Sequence, residues 1–582
     1  MSNPNGFSAR WTRLMHRVHA RLSTLARSAT CFNVMPEPRT IGTFAKGRQL
    51  LAGNFLFAGH LVTAPETSIW DIASPDDVFE RELHGFGWLD DLAAVGDLLT
   101  RERAQVWLWQ WIDRYGRGQG PGWTPDLTGR RLIRWINHAL FVLRGQDSDS
   151  SRQFYQSLGQ QTRFLAKRWH KAAPGLPRFE ALTGLIYAGL ALEGLERHVP
   201  SAIRALEREC RNQVDDQGGI PTRNPEELLD VFTLLTWASA ALNDAGREVG
   251  PEHLKAIERI APTLRTLRHS DGSLARFHGG GRGLEGRLDH ALAASHIKTR
   301  HPGGLSMGYA RLSAGRTSVI VDASPPPTGA SSINAHASTL AFELTSGRRP
   351  LIVNCGSGVA FGEDWRRAGR ATPSHSTLSL DGYSSARLGE AGRGKGWRDE
   401  QLVDAPKDVP IEMSQASDGI RFEGGHDGYV STHGLTHART LELTFDGRGL
   451  AGEDLLVALD DSAKRRFERA LDAKSLQGVP FQIRFHLHPE ADATLDMGGL
   501  AVSIALKSGE VWVFRHDGTA HISLDPSVFL EKGRLKPRAT KQIVLSGVVL
   551  EYATRIRWSL AKAQETALAI RDLNRDDPDL TT

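Results

Sequence analysis

Between roughly residues 65 and 300, apolar residues recur at helical spacing. Leu89, Leu92, Val95, Leu98 and Leu99 form one stripe, and Val106, Leu108, Trp111 and Ile112 suggest the next. Leu182, Leu185, Ile186 and Gly189 run on into Leu192 and Leu195. Leu228, Phe232, Leu235 and Leu242 follow Asn224-Pro225-Glu226-Glu227, a helix start with an Asn cap, Pro at the first helical position and Glu at the third. No strand pattern separates these stripes, which predicts an all-α domain of helical hairpins. After Gly303-Gly304 the period becomes two. Residues 317–321, 340–344, 351–353, 377–380, 483–488, 511–514 and 543–545 read as strands, with an Asp381-Gly382 turn after the fourth. Many short strands with Gly and Asp-Gly turns predict a large antiparallel β-sandwich. The expected organisation is an arm over 1–60, a helical domain over 61–302, a sandwich over 303–565 and an acidic tail over 566–582.

The 582 residues therefore fit two large domains better than three or four of average size. Forty per cent hydrophobic and 24% charged residues exclude disorder and collagen-like repetition. The net charge of +4 belongs to the arm: residues 1–60 hold eight basic residues and one acidic one, +7 in all, leaving the remainder at −3. The charge is thus no argument for a nucleic-acid partner. Within the arm, Trp11, Met15, Val18, Leu22 and Leu25 recur at helical spacing among arginines, predicting a basic amphipathic helix. Two readings fit it: packing on its own domain, or contact with a membrane surface. No apolar run of eighteen residues exists, and no h-region with a small-residue cleavage site follows the arm. Cys31, Cys210 and Cys355 are too few and too scattered for a disulfide framework or a cysteine zinc site.

Several generic motifs fail on context. Gly281-Arg282-Gly283-Leu284-Glu285-Gly286 fits G-x-G-x-x-G but lies in a glycine-rich loop with no preceding strand. His433 and His437 are four apart in a β pattern, and the acidic pairs Asp90-Asp91, Asp215-Asp216 and Asp460-Asp461 are sequence neighbours. Ten of the fourteen tryptophans precede residue 300, where they read as helix-packing residues or as rings able to stack on sugars.

The informative chemistry is the run of histidine motifs in the β half. These are Asn334-Ala335-His336-Ala337-Ser338-Thr339, Asn354-Cys355-Gly356, Ser374-His375-Ser376-Thr377-Leu378-Ser379-Leu380-Asp381-Gly382, His426-Asp427-Gly428-Tyr429 and His437-Ala438-Arg439. With Asp216-Gln217-Gly218-Gly219, Thr222-Arg223-Asn224-Pro225 and Asp271–His278 in the α half, they resemble the heparinase II/III family of polysaccharide lyases over residues 70–560. The resemblance implies an (α/α) toroid followed by an antiparallel β-sandwich. It also implies β-elimination on a uronic-acid-containing, acidic polysaccharide. That chemistry neutralises the C5 carboxylate, removes the C5 proton and protonates the departing O4, and it requires no cofactor.

On this resemblance Asn224 stands at the carboxylate-neutralising position and His336 at that of the catalytic histidine. Asn224 also reads as a plain helix cap, and His336 as a polar residue at a strand start. The family tyrosine has no counterpart in the Asp271–Gly286 loop, so His278 is the substitute base, with Tyr309 behind it; Tyr187 reads as core. Arg223, Arg276, His375 and Tyr309 are the expected substrate-binding residues. His426, His437 and Arg439 read as solvated or sheet-stabilising, and His486 and His488 as a solvated strand face. Relatives' zinc ligands fall on Ser338, Asn354 and His375, so no metal is expected. Two alternatives stay open: a non-catalytic glycan-binding relative, and a toroid glycoside hydrolase. The resemblance implies the cell envelope or periplasm; the N-terminus, lacking a cleavable signal, leaves the cytoplasm open.

Overall fold

The computed structural model describes residues 7–25, 29–34, 37–299, 303–380, 382–390 and 400–563; the acidic tail and Asp381 lie outside them. The chain forms two compact units. A helical unit takes Met1–Ile220, Leu229–Ala261 and Gly286–Lys298, and a sandwich unit takes Pro221–Leu228, Pro262–Glu285 and Thr299–Thr582. The expected helical region followed by a large antiparallel β domain is what the structure shows. Among the described residues, no helix is long and apolar enough to cross a membrane.

The helical unit is built from α-helices of roughly one and a half to six turns. The stripe at 89–99 divides into two of them, Gly87–Val95 and Leu98–Tyr115. Gly96 ends the first at φ +71, a conformation open to glycine at no steric cost, and the Asp97 carboxylate caps the second through Thr100 N at 2.8 Å. Leu98 and Leu99 therefore begin a new helix and are exposed rather than continuing a buried face. Helix Pro125–Asn137 lies hard against Leu176–Ala191, because a Cβ on Gly129 would stand 2.2 Å from the Glu180 carbonyl and one on Gly184 2.4 Å from the Gly129 Cα. Trp88, Trp107, Trp111 and Trp135 are fully buried, which makes them core and removes them as sugar platforms; Tyr187 is core as expected.

The arm forms a helix over Phe7–Ser23. Its buried positions are His16, Ala20 and Ser23. They face helix Ser148–Arg168, where Arg168 Nε donates to His16 Nδ1 at 3.1 Å and Phe164 meets the His16 ring edge-on. The apolar stripe lies on the other side: Phe7, Trp11, Leu14, Val18 and Leu22 are between 38% and 84% exposed. The helix thus packs on its own unit through a polar face and leaves its apolar one in solvent.

The sandwich unit holds two eight-stranded antiparallel sheets. Phe342 and Phe485 from one sheet meet Phe514 and Trp558 from the other in a common core, with Phe342 stacked on Trp558 at 5.9 Å. The strand expected at 340 starts at Phe342, because Leu340 takes φ +62 and breaks the ladder. Three adjacent strands, Gly419–Tyr429, Leu435–Thr444 and Gly449–Val457, carry His426, His437, Arg439 and Asp454. His437 Nε2 and Arg439 Nε both reach Asp454 Oδ1 at 2.8 Å, and Trp558 Nε1 donates to Oδ2 at 2.9 Å. This quartet is buried, so its role is to hold the sheets, and the solvated reading fails. The same correction applies to His486 and His488: both are buried, with His486 Nε2 donating to the Pro373 carbonyl at 3.0 Å.

Candidate functional site

Every residue singled out by the histidine motifs and the Arg223-Asn224 pair lies in the sandwich unit. Arg439 sets two of the loops. Its NH1 donates to the carbonyls of Leu340 and Ser376, each at 2.9 Å, fixing the segments that carry His336 and His375. The centre is Asp322, at the end of strand Thr317–Asp322 and fully buried. Its Oδ1 accepts from Arg223 NH2 at 2.5 Å and its Oδ2 from Ser338 Oγ at 2.7 Å, while His278 Nε2 stands 3.3 Å from Oδ2. Burial alone would raise this carboxyl; the Arg223 guanidinium and His278 outweigh it and hold it down to about 2.

Arg223 is fully occupied. Nε donates to Met307 O, NH1 to Ser324 O and Pro325 O, and NH2 to Gly308 O as well as to Asp322. The Tyr309 ring lies 4.8 Å from its Cζ, and the Tyr309 hydroxyl donates to the Arg223 carbonyl at 2.5 Å. Burial pushes that phenol well above its ordinary range. Arg223 and His278 both sit at positive φ, +49 and +47, strained backbone that the bonds around Asp322 hold in place.

His278 Nδ1 accepts the backbone N–H of His336 at 3.1 Å, so its Nε2 carries the proton and faces Asp322. The His336 ring lies 6.4 Å from that of His278 and 5.1 Å from that of His375. Burial lowers the pKa of all three rings, His375 to about 3 and His336 well below its ordinary value. Among the described residues His278 Nε2, His336 Nδ1 and both ring nitrogens of His375 have no hydrogen-bond partner, the 3.3 Å approach of His278 Nε2 to Asp322 being a charge contact.

Asn224 caps helix Pro225–Asp244 through its side chain, Oδ1 accepting from Glu226 N at 3.0 Å and Glu227 N at 3.2 Å. The helix-cap reading of Asn224 is thus the one its side-chain oxygen follows. The glycine loop lies directly over it: a Cβ on Gly280 would stand 2.5 Å from that oxygen. Arg276 stands elsewhere, its guanidinium 4.8 Å from the Phe529 ring centre and its backbone N–H donating to Glu343 at 3.1 Å. Phe277, beside His278, is buried and brings no hydroxyl.

The structure thus gathers Arg223, His278, Tyr309, His336 and His375 into one buried cluster, with Asn224 at its margin and Arg276 apart. Sequence reasoning missed Asp322, which organises the cluster; a single aspartate closing an apolar strand gave no signal of its own. At the positions corresponding to relatives' zinc ligands, Ser338 is spent on Asp322, and Asn354 Oδ1 accepts from Ser376 N at 3.0 Å. Only His375 has a zinc-ligating side chain, so this donor set does not fit the metal.

Comparisons with known proteins agree with this architecture. Residues 297–559 match the family model "Heparinase II/III-like, C-terminal". FtsZ-localized protein C of Caulobacter vibrioides (strain NA1000 / CB15N) is 33% identical over 542 residues, covering 91% of this chain and 89% of that protein. The crystal structure of heparinase III superposes with a TM-score of 0.68 at 12% identity, over 96% of this chain and 92% of that one. A heparan sulfate lyase HepC mutant from Pedobacter heparinus superposes with a TM-score of 0.57 at 14% identity, over 96% and 92%. The last two are likenesses of fold. Together with the motifs and the relative that matches nearly end to end, they establish that the chain belongs to the heparinase II/III-like family.

Proposed function

We propose that this chain is a binding member of its family rather than a working lyase, and that it acts in association with FtsZ. The family and the fold are those of polysaccharide lyases of glycosaminoglycans. Elimination needs a base with a free lone pair beside the C5 proton. Of the two groups offered for that task, His278 has Nδ1 tied to the His336 backbone and Nε2 turned to Asp322, and Tyr309 is bound to the Arg223 carbonyl. Arg223, expected to bind substrate, has no donor left over. The observation that carries the proposal is this closed knot around Asp322. The relative that matches over nearly the whole chain supports the partner, since its name ties that protein to FtsZ. The exposed apolar stripe of the N-terminal helix, flanked by Arg10, Arg13, Arg17 and Arg21, supports a seat on an acidic membrane surface. Of the two locations considered, this reading takes the cytoplasmic one.

Two assays on the full chain test it. Incubation with a panel of uronate polymers should yield no ultraviolet-absorbing unsaturated product, and the protein should sediment with polymerised FtsZ. Product formation that disappears in His336→Ala would sink the proposal. A second reading, β-elimination with Asn224 neutralising the carboxylate and His336 moving the proton, is favoured by His336 Nδ1 and the two ring nitrogens of His375, which have no hydrogen-bond partner among the described residues. It predicts product from the parent and none from Asn224→Ala or His336→Ala.

A further inference from the structure

Two hollows meet on the helical unit, sharing Leu140 and Phe141 in their walls. The first, of about 510 Å³, is walled by Ile41 and Ala93 and floored by Asp90, Asn137 and His138. The second, of about 460 Å³, carries Arg101 and Arg144. At the floor of the first, Asp90 is already neutralised, with Arg134 Nε at 3.0 Å and His138 Nε2 at 2.9 Å. Asn137 is different. It is 4% exposed, and neither Nδ2 nor Oδ1 has a hydrogen-bond partner among the described residues. A buried amide with both ends unpaired is unfavourable for the fold, and such a group in a pocket wall points to a ligand that supplies the missing bonds. The arginines of the second hollow have no ion pair or side-chain hydrogen bond among the described residues.

We infer that this double hollow docks an extended acidic peptide segment carrying an aliphatic or aromatic side chain. A carboxamide presents a donor and an acceptor side by side, which is the complement of a backbone N–H and C=O. The aliphatic walls at Ile41, Ala93 and Leu140 accept an apolar side chain; Leu140 is 70% exposed and otherwise stands bare in water. The arginines accept a neighbouring carboxylate. An acidic glycan would satisfy the arginines but would set hydroxyl groups against the aliphatic walls, so a peptide fits better. None of these residues belongs to the Asp322 cluster, so this site stands or falls separately from the function proposed above.

The test uses the full chain and an array of synthetic peptides in which a central leucine or phenylalanine is flanked by aspartates at varied spacing. The strongest binder is then followed by fluorescence anisotropy. Asn137→Ala should weaken it about tenfold, the equivalent of one or two lost hydrogen bonds. Arg101→Glu and Arg144→Glu should weaken it at least as much, and replacing the peptide's aspartates by lysines should abolish binding. Asn137→Ala should melt no lower than the parent, because its amide makes no hydrogen bond among the described residues. The inference is overturned if no peptide binds the parent better than the Arg144→Glu variant. It is also overturned if a heparin oligosaccharide alone binds in an Arg144-dependent way, or if Asn137→Ala lowers the melting temperature sharply.

Discussion

At the scale of single residues, the sandwich unit turns on Asp322, which holds a guanidinium on one oxygen while its other oxygen accepts from Ser338 and faces His278. Removing one partner of a buried pair leaves an uncompensated charge, so Arg223→Met should cost about 3–5 kcal/mol in denaturant unfolding. A loss below about 1 kcal/mol would mean that the pair does not organise the cluster. His375 presents the opposite case. Among the described residues neither of its ring nitrogens has a hydrogen-bond partner and burial keeps it neutral, so His375→Leu removes polar atoms that no such bond repays. Its melting temperature should stay level or rise, and a marked fall would reveal partners the fold supplies in solution. The sequence drew attention to His278, His336 and His375 through their motifs. It gave no access to Asp322, because a partner 99 residues from Arg223 leaves no local periodicity to read.

At the scale of elements, the two best-defined helix signals met different outcomes. The Asn224-Pro225 start was legible because a cap acts within three residues of itself, and Asn224→Ala should lose about 1 kcal/mol through that cap alone. The N-terminal helix was equally legible as a helix, but its periodicity did not tell which face would pack. Its small and polar positions His16, Ala20 and Ser23 fit against Ser148–Arg168, and the apolar positions were left outside. Val18→Glu with Leu22→Glu should therefore leave the melting temperature within about a degree or two of the parent, as exposed substitutions do. The same pair should abolish flotation with vesicles rich in phosphatidylglycerol. Unchanged flotation would remove the helix from the membrane reading.

For the molecule as a whole, buried histidines set the response to acid. Burial lowers His84 and His375 to about 3, and His16, His253 and His486 to about 4. A histidine whose folded pKa lies below its unfolded value near 6.5 contributes nothing against folding while both states are neutral. Below that pH the unfolded chain binds the extra proton, and stability falls by roughly 1.4 kcal/mol per pH unit per group. Asp91, raised to about 6, and Glu180, raised to about 7, work the other way, gaining stability as they protonate. Five histidines against two carboxylates predict a melting temperature that is level above about pH 7 and drops steeply toward pH 4. A melting temperature that rises over that range would show these rings to be solvated. By itself the sequence determined the two structural classes, their order, the helix start at Asn224 and the confinement of net positive charge to the arm. Each of these is written in spacing or composition along a few neighbouring residues. The tertiary structure alone decided which charges are paired, which histidines are buried neutral and which face of the first helix meets solvent. Those outcomes depend on segments outside any local pattern, from neighbouring strands to His16 and Arg168, 152 residues apart, brought together only when the cores close.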